Sequence, residues 1–373
     1  MRVLYLLNIP SPYRVNFLDE LGKNCELTVL YERASTKVRD ATWLNQQAIH
    51  HKSIVLKSWK IRKEDALAWT VRRHLKDPQY DVIVVGGYST PTGMLAIWSL
   101  YRMKKPFILN TDGGIPRLDK GLRRWVKRFF INKAFAFLSP SPLSDRYLNT
   151  YVDAKKTIYR YPFTSLYKKD CLNAPPTLEQ RAQYKQTLKL PYEQIILAIG
   201  QFIPRKNFET LIKASIQLEQ KNVGIIIIGG DSTSSYETLV QTHQITNIHF
   251  KPFMQKEALK TYFLASDLFV LPTLEDIWGL VINEAMAHAL PIITTHTCGS
   301  GVALVENGKN GFLVDATDTN ALAQRMNLIL GNRKLKYSLS ENALKSIQQY
   351  TLENMAHTHV EHFQNFLTAI KTS

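Results

Sequence analysis

Two doubly wound, Rossmann-like α/β domains facing a cleft are the fold that this sequence predicts, and three observations lead to it. Near-continuous apolar strands alternate with helical segments in both halves of the chain, which is typical of parallel sheets covered on both faces. This pattern breaks off at about residue 168 and restarts at about residue 195. The length of 373 residues provides material for two cores.

The first half contains four predicted strands, each an apolar run that ends in a polar or glycine-containing turn. They cover residues 3–7, 27–31, 81–85 and 106–110, and a helix is predicted over 13–21. The N-terminal run is too short for the core of a signal peptide, so it is interpreted as the first strand. These elements predict a first domain over residues 1–170.

The second half repeats the pattern after a predicted linker, residues 168–191, which has no clear strand signal and contains Asn173-Ala174-Pro175-Pro176. Strands are predicted over 195–199, 224–228, 248–251, 268–271 and 292–295. The second domain is therefore predicted over 171–352, and an amphipathic helix over 353–370 ends the chain.

The positive charge of the chain lies in its first half. Residues 1–170 hold 30 Lys and Arg against 14 Asp and Glu, whereas residues 171–373 hold 17 of each, so the net charge of +16 belongs to the first half. This asymmetry predicts an anionic partner, either nucleic acid or an anionic membrane surface. Three widely spaced cysteines favour a reducing compartment without a zinc site. No apolar run reaches the ~20 residues of a membrane span.

The stretch from Leu271 to Ile293 joins a buried strand, two adjacent acids and a helix start at Gly279. Asp276 and Glu284 are eight residues apart, which would place both on nearly the same helix face, one at the mouth and one about two turns inside. A helix mouth attracts phosphate, and a carboxylate accepts hydrogen bonds from hydroxyls. A sugar nucleotide makes both demands. The alternative is a buried helix whose acids are only surface charge.

A second motif follows the strand 195–199, where Gly200 leads into a loop with two adjacent cations, Arg205 and Lys206. Cations at the end of a parallel strand can match the charge of a diphosphate, which grows as it leaves. The alternative is an ordinary solvated basic turn. Gly230 also ends an apolar strand, where a glycine lets backbone approach a ligand.

In the first half, two polar residues follow predicted strands. Arg14 comes after the first strand in a loop stiffened by Pro10 and Pro12. Asp112 follows the strand 106–110 beside two glycines, where a carboxylate could orient or deprotonate a hydroxyl. An Asp in a plain Asp-Gly turn is the equally weighted alternative.

Residues 118–133 form a predicted amphipathic helix with one basic face and one aromatic, apolar face. Such a helix can lie on an anionic membrane, or it can bury its apolar face in the core and turn its basic face to solvent. Together with Arg14, which lies outside this helix, the residues predicted to contact an acceptor substrate or the membrane are Arg123, Arg124, Trp125, Lys127, Arg128 and Phe129. Leu118 belongs to the apolar face of the helix.

These motifs resemble those of retaining glycosyltransferases of the GT-B fold, family 4, of the bacterial capsule or exopolysaccharide type. In that family the second Glu of an E-x7-E segment binds the nucleotide ribose and the first contacts the donor sugar. Glu284 matches the second Glu, Asp276 stands at the first, and Glu275 precedes it. In the family's Arg/Lys diphosphate clamp, Lys206 matches the Lys and Gln201 takes the place of the Arg.

The resemblance implies further roles. Lys206, Arg205, Asp276 and Asp112 are expected to be catalytic, with no metal required and no cofactor besides the nucleotide-sugar substrate. Donor contacts are expected from Glu284, Glu275, Gln201, Gly200, Gly230, Phe253, Met254, Trp278, Gly279, Leu280 and Val281. The last helix is expected to cross back onto the first domain.

The function predicted is transfer of a sugar from a nucleotide-diphosphate sugar, with a UDP-sugar favoured, to a lipid-linked or oligosaccharide acceptor in bacterial surface polysaccharide synthesis. The protein is expected in the cytoplasm, bound peripherally to the anionic cytoplasmic face of the membrane. A sugar-nucleotide 2-epimerase of the same architecture is the alternative. The other alternative is a nucleic-acid-binding protein, although no nucleic-acid-binding module is recognised in the sequence.

Overall fold

The computed structural model describes residues 1–34, 49–61, 65–117, 119–230 and 233–372. Leu118, which the sequence assigns to an amphipathic helix, lies outside these residues. The chain divides into two compact units, Met1–Ser165 with Tyr350–Ser373, and Leu166–Gln349. The division falls a few residues before the boundary predicted at 170, and the final helix belongs to the first unit.

Among the described residues, the first unit is built on a seven-stranded parallel sheet with the strand order β3-β2-β1-β6-β7-β8-β9, and a short antiparallel pair, β4 and β5, stands apart. The strands are β1 Arg2–Leu7, β2 Glu26–Tyr31, β3 Lys52–Val55, β4 Trp59–Lys60, β5 Ala66–Leu67, β6 Val82–Val85, β7 Ile108–Asn110, β8 Ala136–Ser139 and β9 Thr157–Arg160. The helices of this unit that precede residue 165 are α1 Pro12–Gly22, α2 Val71–Lys76, α3 Pro91–Arg102, α4 Gly121–Ile131 and α5 Pro142–Asn149.

Proline occupies the first position of α1, α3 and α5, where its missing N–H is no loss. Of the two prolines in the loop after β1, Pro12 therefore starts a helix. The central strands of the sheet are buried along their whole length, as a sheet covered on both faces requires.

The second unit is built on a six-stranded parallel sheet, in the part of it that the structure describes, with the strand order β12-β11-β10-β13-β14-β15. The strands are β10 Gln194–Ile199, β11 Val223–Ile228, β12 Ile248–Lys251, β13 Leu268–Leu271, β14 Ile292–Thr295 and β15 Gly311–Val314. The helices are α6 Leu178–Thr187, α7 Phe208–Ser215, α8 Ser234–Thr242, α9 Lys256–Ala265, α10 Leu280–Ala287, α11 Gly299–Leu304, α12 Thr319–Gly331 and α13 Arg333–Ile347. Helix α14, Leu352–Lys371, returns to the first unit.

The doubly wound α/β class predicted from the sequence is confirmed in both units. The predicted linker, residues 168–191, is not a plain connection, because it contains α6, whose start is fixed by a capping box between Thr177 and Gln180. The chain adds β11 and β12 on one side of β10 and then crosses to add β13 on the other side. Because β10 and β13 are parallel neighbours, their carboxyl ends lie side by side. That edge is where ligands bind in open α/β sheets.

Candidate functional site

The loop after β10 is fixed by one asparagine. A 3₁₀ turn, Pro204–Lys206, follows the strand, and Asn207 adopts a left-handed conformation with φ of 56°. Its side-chain Nδ2 donates to the carbonyls of Pro272, at 2.9 Å, and Ala316, at 2.7 Å. Sequence reasoning did not single out Asn207, although an Asn after two cations is a residue that tolerates this backbone. Its bonds hold the cationic loop against the end of β13.

Glycines let the strand ends approach each other closely at this edge. A Cβ on Gly229 would lie 1.8 Å from the carbonyl oxygen of Gly200, and a Cβ on Gly200 would lie 3.2 Å from the Lys206 side chain. Any side chain at Gly229 would therefore push β10 and β11 apart. Gly230 follows with φ of 151°, half-buried, where a side chain would be strained.

The cations Arg205 and Lys206 converge on Asp276. Lys206 Nζ donates to Asp276 Oδ2 at 2.5 Å, and Arg205 Nη1 lies 3.4 Å from Asp276 Oδ1. Arg205 Nη1 also donates to the carbonyl of Glu275 at 2.9 Å, while Thr273 Oγ1 donates to the Arg205 carbonyl at 2.9 Å. Lys206 and Asp276 are buried, and the Arg205 side chain is 43% exposed. The structure thus joins three predicted catalytic residues, and adds Thr273 as their support.

The position of Asp276 corrects one expectation. Asp276 is not at a helix mouth on the face of Glu284, because it lies in an extended segment that bridges to Cys298. Helix α10 begins only at Leu280, so half-buried Glu284 lies about one turn inside it. Gly279 precedes the helix with φ of 90° and has no side chain to cap it. Ile282 N–H donates to the Gly279 carbonyl at 3.0 Å, so the N–H groups of Leu280 and Val281 are the ones that this helix start can offer to an anion.

The remaining residues predicted to contact the donor differ in how far their side chains are exposed to solvent. Trp278 is 3% exposed, and its Nε1 donates to Asn283 Oδ1 at 2.9 Å, so its indole packs into the unit. The others are exposed or half-buried: Gln201 and Phe253 are exposed, and Met254, Leu280 and Val281 are half-buried. Gln201, Phe253 and Met254 lie in the loops after β10 and β12, and Leu280 and Val281 begin α10, which follows β13, so all five lie at the carboxyl edge of the same sheet.

In the first unit, Arg14 and Asp112 form an ion pair. Arg14 comes from α1 and Asp112 from the loop after β7, and Arg14 Nη1 also donates to Asn8 Oδ1 at 2.9 Å. The side chains are 14% and 25% exposed. Two residues that the sequence singled out separately therefore form one polar centre at the carboxyl edge of this sheet.

The basic residues of helix α4 have hydrogen-bond or ion-pair partners within the unit. Lys127 Nζ donates to Asp119 Oδ2 at 2.5 Å, Arg124 Nη2 donates to the carbonyl of Thr150 at 3.2 Å, and Arg128 pairs with Asp153. Arg123 remains largely exposed while lying 3.4 Å from Asp119.

Two apolar residues of α4 also meet solvent. Leu122 is 74% exposed and Trp125 is 61% exposed. Trp125 stacks on half-buried Phe129 with ring centroids 5.7 Å apart. Phe130, in contrast, packs against the core of the unit. The apolar face of α4 is therefore divided between the core and solvent, and neither alternative describes the whole helix.

Within the described ranges, no group of three or more His, Cys, Asp and Glu side chains is placed to hold a metal ion. Over those same ranges, no helix has the length and apolarity needed to cross a membrane.

Comparison with known proteins finds a family match within the second unit. Residues 179–346 match the sequence model of the family described as glycosyl transferases group 1. Sucrose-phosphate synthase from Zea mays is 27% identical over 209 residues, which is 51% of this chain and 19% of that protein. D-inositol 3-phosphate glycosyltransferase from Rhodococcus jostii is 26% identical over 177 residues, which is 44% of this chain and 39% of that protein. The chain thus matches well under half the length of these relatives.

Solved structures match the whole fold. HepE from Anabaena, in complex with UDP, gives a TM-score of 0.77 at 18% identity and covers 98% of this chain and 100% of that one. Sucrose-phosphate synthase from Thermosynechococcus elongatus gives 0.75 at 19% identity, with 99% and 100% covered. The GT-B fold predicted from the sequence is confirmed by these matches.

Proposed function

We propose that this chain, whose second unit is a group 1 glycosyltransferase domain, is a retaining glycosyltransferase that uses a UDP-sugar. The observation that carries the proposal is the convergence of Lys206 and Arg205 on Asp276, beside the uncapped start of α10. A sugar nucleotide needs cations for its diphosphate and carboxylates for its hydroxyls, and this edge offers both. The UDP and UDP-glucose complexes of HepE support the choice of a uridine donor.

In the proposed mechanism, Lys206, Arg205 and the start of α10 bind the diphosphate and stabilise its growing charge as it leaves. Glu284 accepts hydrogen bonds from the ribose, and Asp276 or Glu275 accepts them from the donor sugar. The acceptor oxygen bonds to the anomeric carbon on the face from which the diphosphate departs. The hydroxyl proton passes to the departing phosphate oxygen. No metal takes part.

The first unit binds the acceptor, which we propose is a lipid-linked glycan of bacterial surface polysaccharide synthesis. Arg14 offers a cation and Asp112 an acceptor for a hydroxyl, at the edge where an open sheet binds ligands. The net positive charge of residues 1–170 favours an acceptor that carries phosphate.

Helix α4 attaches the protein peripherally to the cytoplasmic face of the membrane. Its exposed Leu122 and Trp125 can enter the interface of the bilayer, and Arg123 can meet anionic headgroups. Close by along the chain, α3 exposes Trp98 and Tyr101, whose rings lie near the cations of Arg102 and Lys133 respectively. Aromatic rings beside cations suit the same interface.

The proposal is tested by incubating the protein with UDP- and GDP-sugars, with and without bacterial membranes, and measuring nucleoside diphosphate release and sugar transfer. We expect release from a UDP-sugar that rises with membranes, persists in EDTA, and falls at least about a hundredfold in Lys206→Met, as for a lost transition-state contact. Lys213→Met, which removes an exposed lysine of α7, is the matched control. If the protein used none of the donors, the transferase function would be refuted. Conversion of the nucleotide sugar without transfer would identify an epimerase.

A further inference from the structure

A cation-lined trough lies in the second unit at the amino ends of β10 and β13, the sheet edge opposite to Gly200 and Asp276. It consists of two neighbouring hollows, of about 780 Å³ and 550 Å³. Both hollows are lined by Leu178, Arg181, Asp267, Arg333 and Lys336. The trough is separated from the donor residues by the full length of the strands, so it is a different site.

The floor of the trough carries more positive than negative charge. Asp267 accepts from Lys185 Nζ on Oδ2 and from Lys336 Nζ on Oδ1, each at 2.9 Å. Arg181, 7% exposed, donates to the carbonyl of Ser266 next to it. Burial lowers the pKa of Arg181, and although burial alone would raise the pKa of Asp267, the three cations hold it below its usual range. Three cations therefore face one carboxylate.

Two further cations stand at the rim. Arg333 and Lys334 are exposed at the first turn of α13, so the positive end of that helix adds to their field. Among the lining residues that the structure describes, Asp267 is the one acid of the larger hollow, and the smaller hollow adds Glu193, so five cations stand against two acids in the trough. The wall opposite is apolar, formed by Pro175, Pro176 and Leu178.

We propose that this trough binds a phosphomonoester with an apolar body. A phosphate matches the excess positive charge of the floor and rim, which a neutral ligand would leave unbalanced. The proline and leucine wall gives the apolar body a surface to bury against. The larger hollow has the size of small-molecule sites, about 300–1,000 Å³.

The test uses n-hexyl phosphate as the probe, with hexanol and inorganic phosphate as its separate halves, and measures binding by calorimetry. We expect hexyl phosphate to bind more tightly than either half. Arg333→Glu with Lys334→Glu should weaken it about tenfold or more, because two charge-assisted contacts are reversed. Acids in the first turn of a helix favour folding, so this variant should stay folded. Lys345→Glu, on the same helix outside the trough, is the matched control.

The proposal would be overturned if hexanol or inorganic phosphate bound as tightly as hexyl phosphate. It would also be overturned if the double variant bound hexyl phosphate with unchanged affinity. UDP binding measured in parallel should be the same in all variants, which separates this site from the donor site. Vesicles containing phosphatidic acid distinguish the sources of the ester: a loss of vesicle binding in the double variant assigns a lipid headgroup, and a loss of hexyl phosphate binding alone assigns a soluble metabolite.

Discussion

Replacing Asp276 with Asn should make the protein bind UDP more tightly while it transfers sugar more slowly. In the structure the carboxylate neutralises Lys206 and Arg205, the two cations proposed to bind the diphosphate. An amide keeps the shape and still accepts a hydrogen bond, but it no longer competes with phosphate for these cations. The donor sugar, in turn, loses a charged acceptor for its hydroxyls.

The size of the effect follows from the geometry of the pair. At 2.5 Å between Lys206 Nζ and Asp276 Oδ2, the Coulomb attraction is about 7 kcal/mol at an effective dielectric constant of about 20. Desolvation offsets most of it, because the side chains are only 11% and 12% exposed. We expect a coupling energy of about 2 kcal/mol in a double-mutant cycle with Lys206→Met.

The assay combines calorimetry with UDP, urea unfolding for the cycle, and transfer rates with the active donor. We expect Asp276→Asn to tighten UDP binding about tenfold, equivalent to 1.4 kcal/mol, and to lower the transfer rate at least about tenfold through the lost charged hydrogen bond. UDP binding that is unchanged or weaker, or a coupling energy below about 0.5 kcal/mol, would refute the reasoning.

Three other changes test separate parts of the molecule. Glu284→Ala should weaken UDP binding about tenfold through loss of a charged acceptor, with an unchanged melting temperature; equal weakening in Glu257→Ala, at an exposed site on α9, would contradict the ribose role. Trp125→Ser should reduce binding to anionic vesicles about tenfold, from the apolar area withdrawn, and a collapse of the thermal transition would instead assign Trp125 to the core. Burial lowers the pKa of His359 to about 3. Below about pH 6.5 the unfolded chain therefore takes up a proton that the folded chain excludes. The free energy of unfolding falls by about 1.4 kcal/mol per pH unit as the pH drops from about 6.5 toward 3. His359→Phe should flatten that slope in urea unfolding at pH 7 and pH 5, and an unaltered slope would show that other groups cause it.

The sequence predicts the central strands well because each is a continuous apolar run buried on both faces. The predicted strands 268–271 and 292–295 coincide with β13 and β14. The sequence prediction misses one buried interior strand, β8, Ala136–Ser139. The other strands that it misses are short or lie at an edge. β9, Thr157–Arg160, has no buried residue, and β3, Lys52–Val55, is mostly exposed. An edge strand needs no apolar run, so its position is decided by pairing with a neighbour that the local sequence does not show.

The candidate site is predictable in its residue types and not in its pairings. Arg205, Lys206 and Asp276 stand out from strand ends and from a family resemblance, but the 70 residues between Lys206 and Asp276 hide their ion pair. The pair forms because β10 and β13 are neighbours in the sheet, although β11 and β12 come between them in the chain. Because β10 and β13 are neighbours, the Thr273 hydroxyl, just after β13, can also donate a hydrogen bond to the Arg205 carbonyl.

Helix α4 shows where a helical wheel stops being informative. The wheel correctly divides the segment into basic and apolar faces, because the division depends only on spacing. Which face points outward depends on what the rest of the unit offers. Asp153, 25 residues away from Arg128, and the carbonyl of Thr150, 26 residues from Arg124, take the basic side chains. Leu122 and Trp125 lie at the surface together with Arg123 and Arg128, whose side chains stay at least half exposed. Phe130 of the same face packs against the core of the unit, whereas Leu122 and Trp125 can be buried only by a partner outside this unit.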